Sequence, residues 1–75
     1  MIINGKEYKF IIKEKNSLYY IRSATILAGI YPIAEMVVKN KAKRFETMDD
    51  AKKYLRKNKL KLKDHIIEVE EINND

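Results

Sequence analysis

The stretch Thr47-Met-Asp-Asp-Ala-Lys-Lys-Tyr-Leu-Arg-Lys-Asn58 predicts a helix around which the rest of the chain is organised. Thr47 is a good N-terminal cap, and two aspartates follow it in the first turn, where the helix dipole favours negative charge. Asn58 suits the left-handed conformation that ends many helices. At 3.6 residues per turn, one face is mostly apolar and is predicted to pack on the core. That face consists of Met48, Ala51, Tyr54, Leu55 and Asn58.

Short strands and turns are predicted before this helix. Residues 8–13 alternate between Tyr8, Phe10 and Ile12 on one side and Lys9, Ile11 and Lys13 on the other, which indicates a strand with one face on the core. Turns are predicted on both sides of this strand, at Asn4-Gly5 and at residues 15–17. The first turn makes a hairpin with residues 1–3, and the second leads into a strand over residues 18–22 that pairs with the first strand.

The middle of the chain allows two interpretations. Residues 24–30 either extend the preceding strand or form a short helix that ends at Gly29, because periodicity does not separate these states in a short apolar run. Tyr31-Pro32 is expected to interrupt either one, since proline lacks a backbone donor and restricts the residue before it. A third strand is predicted over residues 33–39.

A last strand is predicted at His65–Ile72, where β-branched residues are frequent. Its alternation places Ile67 and Val69 inward and two glutamates outward. The predicted fold is therefore α+β (β-β-β-α-β), with three mainly antiparallel strands, one helix in the C-terminal half packed on the sheet, and one final strand. A chain of 75 residues makes one domain, predicted over residues 1–72, with a frayed tail at 73–75.

The composition argues against several chemistries. The chain has no cysteine, which excludes disulfides and thiolate metal sites. His65 is the only histidine, and neither a catalytic triad nor a metal-ligand spacing accompanies it. The two glycines do not form a phosphate-binding loop. We therefore predict a protein that is not an enzyme and has no catalytic residues, cofactor or metal. Residues 23–38 are apolar but too short to span a membrane, so no membrane association is predicted.

Charge is segregated along the sequence. Residues 39–63 carry 11 Lys or Arg against 3 Asp or Glu, whereas residues 64–75 carry 5 acids and no base. The predicted basic binding face comprises Lys52, Lys53, Arg56, Lys57 and Lys59, and the predicted acidic face comprises Glu68, Glu70 and Glu71. Lysine outnumbers arginine 13 to 3, which weakens any reading of a base sequence, because that recognition relies on the arginine fork.

Three kinds of partner fit this pattern. Faces of both signs on a small body can steer association with a protein, and residues 24–33, if exposed, would supply an apolar centre between charged rims. The same faces could pair across a two-fold axis and form a structural homodimer. The basic helix face could instead bind nucleic acid without sequence preference. The protein partner is the interpretation we adopt.

The segment Ala42-Lys-Arg-Phe-Glu-Thr-Met-Asp-Asp-Ala-Lys-Lys-Tyr-Leu55 carries a family resemblance. A basic strand end, an aromatic residue, a threonine, two acids and an aromatic-leucine pair resemble a pattern in small proteins of temperate phages and prophages of A/T-rich Gram-positive bacteria. The Asn-Gly opening and the Lys/Ile/Asn bias are similar too. The resemblance implies a phage-type protein that acts in the bacterial cytoplasm by binding host or phage proteins. It assigns a role to no individual residue.

Overall fold

The computed structural model describes residues 2–72 and shows an α+β fold, as predicted. Its strands are β1 (Ile2–Ile3), β2 (Lys6–Glu14), β3 (Tyr20–Leu27), β4 (Tyr31–Val37) and β5 (His65–Ile72), and its helix is α1 (Met48–Lys57). Short 3₁₀ turns lie at Lys39–Lys41 and Leu62–Asp64. The predicted frayed tail at 73–75 lies outside the described residues.

Strand β2 is the centre of the antiparallel sheet. Along one edge it pairs with β5 over its length, from Glu7 opposite Ile72 to Glu14 opposite His65. Three segments share its other edge: β1, an isolated bridge at Phe45, and the start of β3. The predicted turns that set this arrangement are confirmed, because Asn4, Gly5 and Asn16 adopt positive φ.

The core lies between the sheet and α1. Its buried side chains are Phe10, Ile12, Ile21, Phe45, Ala51 and Leu55. The predicted helix start is confirmed, since the Thr47 hydroxyl accepts a hydrogen bond from Asp50 N–H at 3.0 Å. The predicted core face of α1 is confirmed at Ala51, Leu55 and Asn58, whereas Met48 is exposed.

Two details of the helix end and the last strand differ from prediction. Asn58 has φ −98°, and Lys59 takes the left-handed conformation instead. Asn58 is buried, and its side-chain amide donates to the Tyr54 carbonyl at 2.9 Å. Val69 lies opposite Phe10 and so is on the helix side of the sheet as predicted, but its side chain is exposed.

The opposite face of the sheet also buries a side chain, contrary to the expectation from strand alternation. Ile11 has no exposed surface although it alternates with Phe10 and Ile12, which face α1. It lies opposite Glu68 on β5, and the buried Tyr20 lies on the same face opposite Lys13. The face of the sheet opposite α1, which we call the outer face, therefore also contains buried side chains.

The middle of the chain is a β-hairpin. Strand β3 continues to Leu27, which decides between the two predicted alternatives in favour of the strand. Ala28 and Gly29 then adopt positive φ, and Ile30 N–H donates to the Leu27 carbonyl at 3.1 Å. The prediction that Tyr31-Pro32 interrupts the structure is wrong. Pro32 lies in β4 opposite Ile26, and β4 is an edge strand, where a missing donor is tolerated.

Candidate protein-binding surface

The residues of the predicted acidic face all have partners within the chain. Glu68 accepts a hydrogen bond from the Tyr20 hydroxyl at 2.7 Å and lies 3.9 Å from the Lys39 ammonium. Glu70 accepts from Arg44 Nε at 2.9 Å, and Glu71 lies 3.5 Å from Lys6 Nζ. These contacts join β5 to residues 39–44, to Tyr20 of β3 and to Lys6 of β2. Each of the three carboxylates therefore has a cation of the same chain beside it.

Among these contacts, the hydrogen bond between Tyr20 and Glu68 is accompanied by a large shift in a pKa, that of Tyr20. The hydrogen bond to Glu68, together with burial of the ring, raises the pKa of Tyr20 to about 12. A neighbouring ion pair joins Lys9 and Glu46; their mutual hydrogen bond raises the pKa of Lys9 and lowers that of Glu46. Hydrogen bonds and ion pairs thus link charged side chains on the outer face of the sheet to one another.

The residues of the predicted basic face are placed on α1 and just beyond it, but they do not form one patch. Lys53 pairs with Asp49 at 3.3 Å, one turn earlier. Lys57 lies one turn after Tyr54 and so shares its side of the helix, whereas Lys52 and Arg56 lie on the other flank. Within residues 2–72, these last three cations have no acidic partner within 4.0 Å. They are Lys52, Arg56 and Lys57.

The hairpin of β3 and β4 projects beyond the central strand. From Ser23 onward β3 pairs only with β4, and we call residues 23–35 the arm. The molecule is elongated, measuring 43 × 22 × 20 Å along its principal axes. The inner face of the arm, with Ala24 opposite Ala34, packs against the core. Among residues 2–72, no element covers the outer face, where Leu27 lies opposite Tyr31 and Ile33 opposite Thr25.

Large apolar side chains are exposed on the outer face and at the turn of the arm. Leu27 is 56% exposed, Ile30 61%, Tyr31 59% and Ile33 47%. We call these four residues the apolar arm surface. Such a concentration of exposed apolar side chains on one projecting element is typical of an interaction site.

Contacts from the helix side fix the arm to the rest of the molecule. The Tyr54 hydroxyl accepts a hydrogen bond from Ala24 N–H at 2.8 Å. The Lys59 ammonium donates to the Gly29 carbonyl at 2.9 Å, at the turn of the arm. The end of α1 therefore lies beside the arm, and Lys59 lies at the turn that carries Ile30 of the apolar arm surface.

An open cleft of about 480 Å³ lies on the helix side of the sheet. The side chain of His65 at its wall is engaged, since Nδ1 lies 2.8 Å from the Lys61 carbonyl oxygen. Among residues 2–72, no three His, Asp or Glu side chains converge on a site that would hold a metal. The cleft is lined by Glu14, Lys15, Asn16, Ala34, Met36, Leu60, Asp64 and His65.

The comparisons with known proteins leave the fold and these surfaces as the basis for function. No family model, no curated protein and no solved structure matches the chain. Within the described residues, no helix has the length and hydropathy needed to cross a membrane. Residues 24–33, considered above as an apolar centre if exposed, form a hairpin in which all but Ala24 and Ile26 are exposed. Its contacts with Tyr54 and Lys59 were not anticipated, because no local sequence pattern pairs residues about 30 positions apart.

Proposed function

We propose that this chain is a non-enzymatic binding module of the phage type, and that it acts by contacting a host or phage protein in the bacterial cytoplasm. The observation that carries the proposal is the apolar arm surface, which gathers four large exposed apolar side chains on one projecting hairpin. The arm makes the contact, and the central sheet with α1 holds it in position.

The energetics favour a protein as the partner of this surface. Burial of apolar surface stabilises a complex by about 25 cal/mol per Å². Protein interfaces commonly place such residues at their centre and polar or charged residues around them. Leu27, Tyr31 and Ile33 supply the centre, and a stable interface of ~800 Å² per partner would extend from them onto neighbouring polar residues.

The experiment compares two matched double variants in affinity capture from the source bacterium. L27S/I33S removes apolar groups from the arm, and L18S/V69S removes groups elsewhere that are at least as exposed, since Leu18 is 83% and Val69 53% exposed. A protein captured by the wild type should be retained by L18S/V69S and lost with L27S/I33S. Its direct binding is then measured by calorimetry with the purified pair. Capture that is equally sensitive to both variants, or to neither, contradicts the proposal.

A second candidate function is nonspecific nucleic-acid binding, which the cations without acidic partners on α1 favour. Lys52, Arg56 and Lys57 would release counterions from phosphates, so binding to labelled single- or double-stranded DNA should weaken steeply as salt rises. The variant K52Q/R56Q/K57Q should then reduce the slope of log affinity against log salt. Absence of binding near 50 mM salt, a concentration at which phosphate contacts are strong, would exclude this candidate.

A further inference from the structure

We infer that the partner presents an acidic surface around the apolar site that receives the arm. This inference rests on the proposed function and deepens it, because it specifies the chemistry of the partner. The turn of the arm carries Lys59 beside Ile30 of the apolar arm surface, and the acid of the arm itself, Glu35, lies beside Arg22.

The fold places Lys59 there. Lys59 is held at the arm turn by its hydrogen bond to the Gly29 carbonyl, an acceptor without net charge. Lys57 is exposed and lies on the side of α1 that faces the arm, one turn beyond the tethered Tyr54. Both are within reach of a protein that covers the turn of the arm.

The one acid of the arm does not offset these lysines. Glu35, beside Ile33 on the outer face, lies 4.0 Å from the Arg22 guanidinium and accepts a hydrogen bond from the Ser23 hydroxyl. The rim of the apolar arm surface is therefore positive overall. An interface is most stable when potentials are complementary, so the matching surface is acidic.

A second copy of the chain fits this rim less well. Two arms that met across a two-fold axis would place the same positively charged turn region in both halves of the interface. The acids that could have received these lysines, Glu68, Glu70 and Glu71, already have cations of the same chain beside them. Opposite-charge pairing between copies is thus disfavoured.

Nucleic acid also fits less well. Bases bind to single-strand sites by stacking on aromatic side chains, and the apolar arm surface has one aromatic residue, Tyr31, among three aliphatic ones. Leu27, Ile30 and Ile33 would be left against a polar, charged ligand. An acidic protein surface with apolar residues at its centre satisfies both the aliphatic side chains and the lysines.

The test is an NMR titration of the full ¹⁵N-labelled chain with two synthetic helical peptides. They share one Leu/Phe face and differ only on the opposite face, which is glutamate in one and lysine in the other. The glutamate peptide should shift the amide signals of residues 27–33 and 57–59, and the lysine peptide should bind at least ~5-fold more weakly at low salt. Oligo-dT and vesicles containing phosphatidylglycerol serve as the other anionic probes.

Charge variants show which lysines cause the preference for the glutamate peptide. K57Q, which leaves the Lys59 tether intact, and K57Q/K59Q should weaken binding of the glutamate peptide, whereas the matched K61Q/K63Q should change it less than ~2-fold. Equal binding of the two peptides at the arm would overturn the acidic partner but leave the proposed function standing. Arm signals that respond only to oligo-dT or to vesicles would overturn both. No response of the arm to any probe would overturn the inference, and the capture experiment would still test the function.

Discussion

The central sheet and the arm use the same residue types in opposite ways. Ile11 and Ile12 of β2 have no exposed surface, whereas Ile30 and Ile33 of the arm are about half exposed or more. Both regions are antiparallel strands that alternate apolar side chains. The difference is what lies over each face: β2 has α1 on one side and a charged network on the other, and the arm has a layer on its inner face alone.

This comparison shows that exposure here is set by covering elements and not by local hydrophobicity. The packing of its inner face and the hydrogen bonds from Tyr54 and Lys59 hold the arm in place. Its outer face is therefore available for contact with a partner. Substitutions in the two regions should therefore separate stability from binding. The predicted effects on stability are given from the largest to the smallest.

The largest effect is expected in the core of the central sheet. Leu55→Ala removes a fully buried side chain and should lower the free energy of unfolding by about 3 kcal/mol. Leu27→Ala, the matched substitution in the arm, should lower it by less than ~0.5 kcal/mol. Urea denaturation followed by circular dichroism measures both, and similar losses for the two leucines would remove the distinction between the regions.

The charged network over Ile11 should have the next largest effect. Tyr20→Phe removes the hydrogen bond to Glu68 in a largely buried setting and should cost about 1–2 kcal/mol. Because the folded pKa of Tyr20, about 12, is above the ordinary value of 10.0, its contribution is complete below pH 10 and is lost as pH rises toward 12. The stability difference between wild type and variant, measured by denaturation against pH, should therefore shrink over that window. A difference that does not change with pH would contradict this role.

The tether of the arm should have a smaller and more local effect. Tyr54→Phe removes the acceptor for Ala24 N–H and should cost about 1 kcal/mol. Hydrogen exchange should accelerate at amides of residues 24–34 more than at Phe10 or Ile12, because the arm loses a support that the central sheet does not use. Uniform acceleration over both regions would show that the arm is not a separate unit of stability.

The smallest effect on stability is expected from the apolar arm surface itself. Ile33→Ser and Leu27→Ser each replace an exposed side chain and should change the free energy of unfolding by about 0.5 kcal/mol or less. The same variants should abolish partner binding. Thermal denaturation supplies the stability measurement, and a large destabilisation would mean that the surface has a structural role.

The sequence predicts well those elements that depend on neighbouring residues. The capped helix, the Asn-Gly turn and the final strand follow from capping, turn chemistry and alternation. Burial of Ile11 could not be predicted, because it depends on Glu68, more than 50 residues away. Pro32 was misinterpreted because its tolerance depends on the strand being at an edge, which only the topology reveals.

The residues of the candidate binding surface were also predicted only in part. The charged residues were identified, but the contacts of Glu68, Glu70 and Glu71 with cations of the same chain were not. The basic residues divide between two flanks of α1, which composition does not reveal. The sequence suggested residues 24–33 as an apolar contact surface only if they were exposed.

Photo-crosslinking in cells of the source organism tests the central claim most directly. Tyr31 in the arm and Tyr19 before β3 have similar exposure, 59% and 55%, and each is replaced in turn by p-benzoylphenylalanine. If the arm is the binding surface, Tyr31→p-benzoylphenylalanine should form a discrete adduct with one protein and the variant at Tyr19 should not. Equal adducts from both positions, or an adduct from Tyr19 alone, would contradict the account.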